Sequence, residues 1–426
     1  MDNVDNFQVF LFLSTVLSTA LLLIFSLFFL LFHISTATTT ITTKLIFIYL
    51  LIYTKELSTT MKLYCSRELL LNALTVVNKA ISNKTTLEIL KCVLLTATKE
   101  KFIVTATNLE IGIQSAPITA TIEEEGSIAL DAHLFTEIIR KVNGDTVLIQ
   151  TNSKYETSIS CGFSDFKIMG QNGEDFPELP KVEKKQEYKM FQSDLKNMIR
   201  QTIFSISQEE LKPILTGELL EFKKNCIQMV SVDGYRISFR KENLVENIKE
   251  TKVVVPGKTL SEIHKILNGE EKDVLLYVTD KHIVFDIDGN IVISRLLEGE
   301  YIKYEQSFFD EYKTRFYVNT NDFLQTLERA SLVSKDTRKT PVKLDITEKK
   351  LIVKAQAEIG TAYEEIQIEL EGESLQIAFN PKYLIEALRV IDEEMISIQF
   401  TTSLSPCIIK PLQGDAFRYL ILPLRL

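Results

Sequence analysis

The chain is poor in the residues that usually carry chemistry. Its four histidines, His33, His133, His264 and His282, are scattered along 426 residues. Metal ligation needs ligands at fixed short spacings, and none occurs, so no metal and no other cofactor is expected. The five cysteines, Cys65, Cys92, Cys161, Cys226 and Cys407, are odd in number and form no C-x-x-C pair. That argues against a disulfide framework and for buried thiols in a reducing, cytoplasmic compartment. Phosphate-binding G-x-x-x-x-G-K, the G-x-S-x-G elbow and the H-E-x-x-H helix are all absent. The segment from Asp286 through Asp288, Gly289 and Asn290 begins like a calcium loop, but its twelfth position is Leu297 instead of a bidentate glutamate. A hairpin turn is expected there. No pair of carboxylates is marked out as an acid/base couple, and the chain is expected to be no enzyme.

An excess of basic residues is also lacking. Lysine and arginine total 48 against 57 acidic residues, a net charge of −9. From residue 61 onward the balance is 46 basic to 54 acidic. Phosphate contacts need cations, so nucleic-acid binding here requires charge segregated onto one surface.

What is present is a threefold repetition. Three blocks of about 120 residues each open with a short strand and an amphipathic helix: KLYCSRELLLNALTVV, YKMFQSDLKNMIRQTIF and RFYVNTNDFLQTLERASLV. The expected N-caps Ser66, Ser193 and Thr320 are 127 residues apart each time. A second helix follows a strand in each block, and its matching glutamates, Glu137, Glu262 and Glu386, are spaced 125 and 124. Each block is large enough to be a domain. In the first helix Leu69, Leu70, Ala73, Leu74, Val77, Ala80 and Ile81 recur at helical spacing and predict one apolar face. Between the helices, runs such as ELLEFKKNCIQMVSVDGYRISFR alternate apolar and polar residues, as half-buried antiparallel strands do. Asp233-Gly234 and Asp288-Gly289 predict two-residue hairpin turns. The fold class is α+β, three copies of sheet with two helices on one face. Polar connectors at 181–187 and 308–314 set the expected boundaries: 61–184, 185–312 and 313–426.

Residues 1–60 form a hydrophobic N-terminal extension of a different kind. Phe7 to Phe32 carries no charge and is long enough to span a bilayer, which needs roughly 20 apolar residues. A second apolar run, Leu45 to Tyr53, follows. Asp2 and Asp5 stand where a signal peptide has positive charge. Taken literally, the segment tethers a three-domain structural scaffold to a membrane. The preferred expectation is that Met61 is the true start and that residues 1–60 are not part of the mature protein, since the first repeat begins there without a linker.

Four segments stand out: TLEILKCVLL (Thr86–Leu95), VTATNLEIGI (Val104–Ile113), VSVDGYRIS (Val230–Ser238) and the terminal ILPLRL (Ile421–Leu426). In this order they resemble segments of the bacterial DNA polymerase III β subunit, the β sliding clamp. The resemblance spans Met61 to Leu426 and none of residues 1–60. It implies a clamp-type fold, with antiparallel sheets outside and paired helices inside, and a head-to-tail homodimeric ring around double-stranded DNA. It also implies docking of the replicative DNA polymerase, the clamp loader, other polymerases and repair proteins.

The resemblance implies three groups of residues. The DNA-facing candidates are Lys84, Arg140, Lys196, Arg200, Lys258, Lys265, Arg329 and Arg389. The partner-peptide pocket maps to Leu215, Val232, Gly234, Tyr235, Arg236, Ile237, Tyr304, Leu404, Pro406, Ile421, Leu422, Pro423, Leu424 and Arg425. Phe166 and Ile168 of the first domain would meet Leu332 and Val333 of the third across the dimer interface. Tyr235 stands where the family commonly has histidine, and Ile302 and Gln306 replace its proline and arginine, which leaves peptide preference open.

Overall fold

The computed structural model describes residues 61–82, 84–183, 186–209, 211–244, 248–333 and 340–425. The extension 1–60, with its apolar runs, lies outside the described residues. Among the described residues no helix is long and apolar enough to cross a membrane.

Six α-helices are described: α1 (Arg67–Val77), α2 (Ala132–Lys141), α3 (Gln192–Thr202), α4 (Gly257–Ile266), α5 (Thr320–Ser331) and α6 (Pro381–Leu388). They pack in pairs, α1 on α2, α3 on α4 and α5 on α6. In α1 the buried face is Leu70, Ala73, Leu74 and Val77, the i, i+3, i+4, i+7 pattern of a helix on a core. Leu69 is instead exposed, and Ala80 is buried from a 3₁₀ turn beyond the helix end.

The helix starts correct one expectation. Ser66 does cap α1, its side chain accepting from the Leu69 N–H. Ser193 and Thr320 lie inside their helices; the cap positions are Phe191, which offers no side-chain bond, and Asn319, which accepts from the N–H groups of Asn321 and Asp322. A common tertiary device explains the tolerance. The first N–H of each opening helix (Arg67, Gln192, Thr320) donates at 2.8 Å to a carbonyl beyond the second helix: Asp145, Lys272 and Glu394. An orphan helical donor is thus satisfied by main chain, whatever side chain stands at the cap.

The strands join the copies edge to edge. A nine-stranded sheet crosses from the first domain to the second where Ile111–Gln114 pairs antiparallel with Asn290–Arg295, Ile113 opposite Val292. A second nine-stranded sheet crosses to the third domain where Arg236–Asn243 pairs with Phe417–Ile421, Ser238 opposite Tyr419. Both junctions use the same two elements: the third strand after the opening helix and the third strand after the second helix. The two strands of these kinds not joined in this way are Gly360–Gln367, at an edge of a four-stranded sheet, and Ser164–Met169, at an edge of a five-stranded sheet.

The hairpins differ from each other. Asp288 and Gly289, at φ of 51° and 83°, make the expected two-residue turn. Asp233 and Gly234 belong to a three-residue loop with Tyr235. There the Asp233 Oδ1 accepts from the N–H groups of Tyr235 (3.0 Å) and Arg236 (3.1 Å), and Gly234 takes a φ of 89°.

One buried apolar cluster runs continuously through the first and second domains, from Met61 to Leu296. The third domain has its own, from Phe316 to Ile421. All five cysteines are free and buried. Burial pushes the Cys65 and Cys407 thiols up to about 12, so they stay protonated and act as small apolar groups.

Candidate nucleic-acid and partner interface

The helices hold charge of the opposite sense to the chain. Together they carry nine basic and seven acidic residues, in a protein of net charge −9. The geometry divides the eight candidate DNA-facing cations. Arg140 and Lys265 pair with the glutamate one turn earlier on their own helix, Glu137 and Glu262. Arg329 pairs with Glu364 at 2.6 Å and Arg389 with Glu328 at 2.7 Å. Arg200 pairs with Asp392 and also donates to the Val390 carbonyl, tying the second domain to the third. The Lys196 ammonium donates to the Leu267 carbonyl at 2.7 Å. Lys84 and Lys258 are exposed and make no ion pair among the described residues.

His264, set aside in the sequence as one of four scattered histidines, marks where three of these cations converge. Burial lowers its imidazole pKa, and the charges of Lys196, Arg200 and Lys265 lower it further. The Nε2 is buried without a hydrogen-bond partner.

The candidate pocket residues separate into a wall and a rim. Leu215, Val232, Ile237 and Tyr304 are buried together with Leu420 in a small apolar cluster of their own. Tyr304 belongs to the connector after the second domain and is anchored by its hydroxyl, which donates toward Glu221 (2.6 Å) and lies 3.2 Å from Gln228 Oε1. Burial first, and Glu221 second, raise that phenol well above its ordinary value. Gly234, Tyr235, Leu404, Leu422, Leu424 and Arg425 are exposed, and Pro406 and Pro423 are half-buried.

The C-terminal tail links the rim to two sheets. Ile421 is buried, opposite Arg236 on one side and Cys407 on the other. The Leu422 N–H donates to the Tyr235 carbonyl at 2.9 Å and the Leu424 N–H to the Ala378 carbonyl at 2.8 Å. Pro423 sits between, at the position that needs no donor.

Arg236 is the most heavily bonded of the predicted pocket residues. It is 6% exposed and donates to Asp233 (2.9 Å), to Glu386 (2.5 Å) and to the Phe204 carbonyl (2.5 Å). Its guanidinium also lies 5.1 Å from the Phe204 ring centre and 4.7 Å from that of Tyr383. Tyr383 in turn stacks on Tyr235 at 5.9 Å. Nothing in the chain marked Phe204 or Tyr383, since only the junction brings them to Arg236.

At the two open edges, Phe166 is exposed and Ile168 half-buried on Ser164–Met169, while Leu332 is exposed and Val333 half-buried just past α5. Met169 and Tyr363 add further exposed apolar surface to these edges.

Three family models match in succession. The DNA polymerase III beta subunit N-terminal domain covers residues 61–180, the central domain 189–303 and the C-terminal domain 306–425. The chain is 32% identical over 374 residues to the beta sliding clamp of Staphylococcus epidermidis, covering 86% of this chain and 99% of that one. Two crystal structures superpose on 86% of it. A putative DNA polymerase III beta subunit from Eubacterium rectale does so with a TM-score of 0.83, 42% identity and 100% of its own length. A DNA polymerase sliding clamp from Bacillus subtilis gives 0.84, 33% and 99%.

Proposed function

This chain belongs to the DNA polymerase III β subunit family, the β sliding clamps, and on that premise we propose that two copies close head to tail into a ring around duplex DNA. The observation that carries this is the inventory of sheet edges. Two junctions within the chain use one edge of each kind, and Gly360–Gln367 and Ser164–Met169 are what remain. Pairing them between two copies repeats the same junction. It would cover Phe166 and Ile168 with Leu332 and Val333, and remove two edges that otherwise invite aggregation.

Within the ring the helices face DNA. Phosphate contact without base readout permits sliding. Pairing of Arg140, Lys265, Arg329 and Arg389 with carboxylates tempers each contact, so the lumen attracts the duplex without gripping it. Lys84 and Lys258 supply the least compensated charge. The ring acts without catalysis: it tethers the replicative polymerase and makes synthesis processive by topology. The clamp loader, other polymerases and repair proteins dock through short peptides at the rim of Tyr235, Leu404, Leu422 and Leu424, against the wall of Leu215, Val232 and Ile237. The domains are 61–184, 185–312 and 313–426, and the compartment is the cytoplasm.

The test is topological. The protein is loaded onto nicked circular DNA, which is then linearised. Release on cutting is expected; continued binding contradicts the ring.

A further inference from the structure

The two junctions within the chain are built alike, but their outer faces are not filled alike. After the second domain the connector lays Tyr301, Tyr304 and Phe308 over the sheet, and the apolar cluster there is continuous. After the first domain the connector's apolar side chains divide between two clusters. Phe176 joins Cys92 and Ala129 on one side, while Leu179 and Val182 join Tyr277, Val284 and Ile293 on the other. Between these two clusters lies a cavity of about 550 Å³.

The cavity is a built feature. Its walls are Leu94 and Ile103 from the first domain, Val284 and Ile293 from the second, and Leu179 and Pro180 from the connector. The connector is seated by Gly112 on the junction strand, where a Cβ would lie 2.3 Å from Leu179 Cδ2. Thr105 and Gln114 also line it, and offer hydrogen bonds to a main chain laid across the sheet. Its volume is within the range of ligand pockets and takes two or three apolar side chains. The rim is acidic. Residues 173–182 carry Glu174, Asp175 and Glu178 against Lys181 alone, and Glu174, Glu178 and Lys181 border the cavity, all exposed.

We propose that this cavity is a second docking groove, between the first and second domains, for an extended peptide that carries neighbouring leucine or phenylalanine side chains flanked by lysine or arginine. The apolar side chains enter the gap between the two clusters, and the basic ones face Glu174 and Glu178. It is a site separate from the rim between the second and third domains. Each copy of the chain would then offer two peptide sites.

The test uses the full chain and a fluorescein-labelled pentapeptide, Lys-Leu-Phe-Leu-Lys, followed by fluorescence anisotropy. Wild type and the Leu422→Ala/Leu424→Ala variant of the other rim are expected to bind it alike. Glu174→Lys/Glu178→Lys, on exposed positions, weakens binding by about tenfold or more through lost charge complementarity. Ile103→Trp fills the gap, keeps the charge and abolishes binding; a thermal melt checks that this variant folds, and if it does not the charge reversal alone decides. The proposal is overturned if the charge reversal leaves affinity unchanged, if binding is lost with Leu422→Ala/Leu424→Ala, or if wild type shows no saturable binding up to about 1 mM peptide, the weak end of specific recognition. Retention on circular DNA, measured in parallel, reports separately on the ring.

Discussion

Arg236 Nη1 donates to Glu386 Oε2 at 2.5 Å, and this bond joins the second domain to the third. Glu386 is the third copy of a glutamate that recurs in every second helix. In the first two copies it pairs one turn along its own helix, with Arg140 and with Lys265. Only in α6 does it reach across a junction, and three further ion pairs, Arg200 with Asp392, Lys241 with Asp415 and Arg418 with Asp310, also cross it. Among the described residues the junction between first and second domains relies instead on a continuous apolar core and its strand ladder.

Removing Arg236 takes the guanidinium from both carboxylates, leaving Asp233 with its two main-chain donors and Glu386 with Lys382 at 3.8 Å. Arg236→Ala is expected to destabilise the protein by about 3 kcal/mol, the scale for breaking a buried pair. Glu386→Gln costs about 1 kcal/mol, because Glu386 is 28% exposed and its amide still accepts. Arg236→Lys does not rescue, since one ammonium cannot reproduce the fork that serves three acceptors. Urea denaturation of the three variants checks the order.

Glu218 sets a pH dependence. It is fully buried, accepts one bond from the Thr202 hydroxyl at 2.6 Å, and leaves Oε1 without a partner. Burial pushes its carboxyl from 4.5 up to about 8, with Thr202 opposing. The folded state thus holds a proton that the unfolded state has lost. Stability falls by about 1.4 kcal/mol per pH unit as pH rises between these two values, and levels off above. Glu218→Gln is expected to flatten that slope and to be more stable than wild type at pH 8 but not at pH 5. Equal slopes in urea melts across the window would refute the assignment.

The proposed DNA-facing cations are not equivalent. Lys258→Glu and Lys84→Glu are expected to weaken retention on closed circular DNA more than Arg389→Glu, whose charge is already met by Glu328 at 2.7 Å. For Lys258→Ala the salt dependence of retention drops by about one counterion per subunit. Retention measured from low to moderate salt distinguishes the sites.

The proposed closure of the ring through this edge is tested by a single substitution. Ile168→Asp places a carboxylate on the open edge beside Phe166. The dimer dissociation constant is expected to rise by about 100-fold, as for an interface anchor, while the monomer stays folded. Sedimentation over a range of concentrations reads the change; an unaltered dimer would remove this edge from the interface.

The repeat and its helices were legible because they rest on local periodicity. Leu70, Ala73, Leu74 and Val77 declare a helical face, and Asp288-Gly289 a two-residue turn. Leu69 misled, because apolar identity does not fix azimuth when a neighbouring leucine already covers the core. Asp233-Gly234 misled because the turn length is set by Arg236, whose N–H the Asp233 carboxylate also holds. His264 carried no signal in the chain, since the cations around it come from two helices.

The order of strands and helices, the threefold copy and the acidic balance follow from the amino-acid sequence, because each rests on neighbours within a few residues or on a sum over all of them. Which edges meet, which glutamate crosses a junction and which helix donor finds the carbonyl of Asp145, Lys272 or Glu394 were decided only by the tertiary structure. Those partners lie scores of residues apart, many are main-chain atoms that every residue possesses, and only packing selects among them.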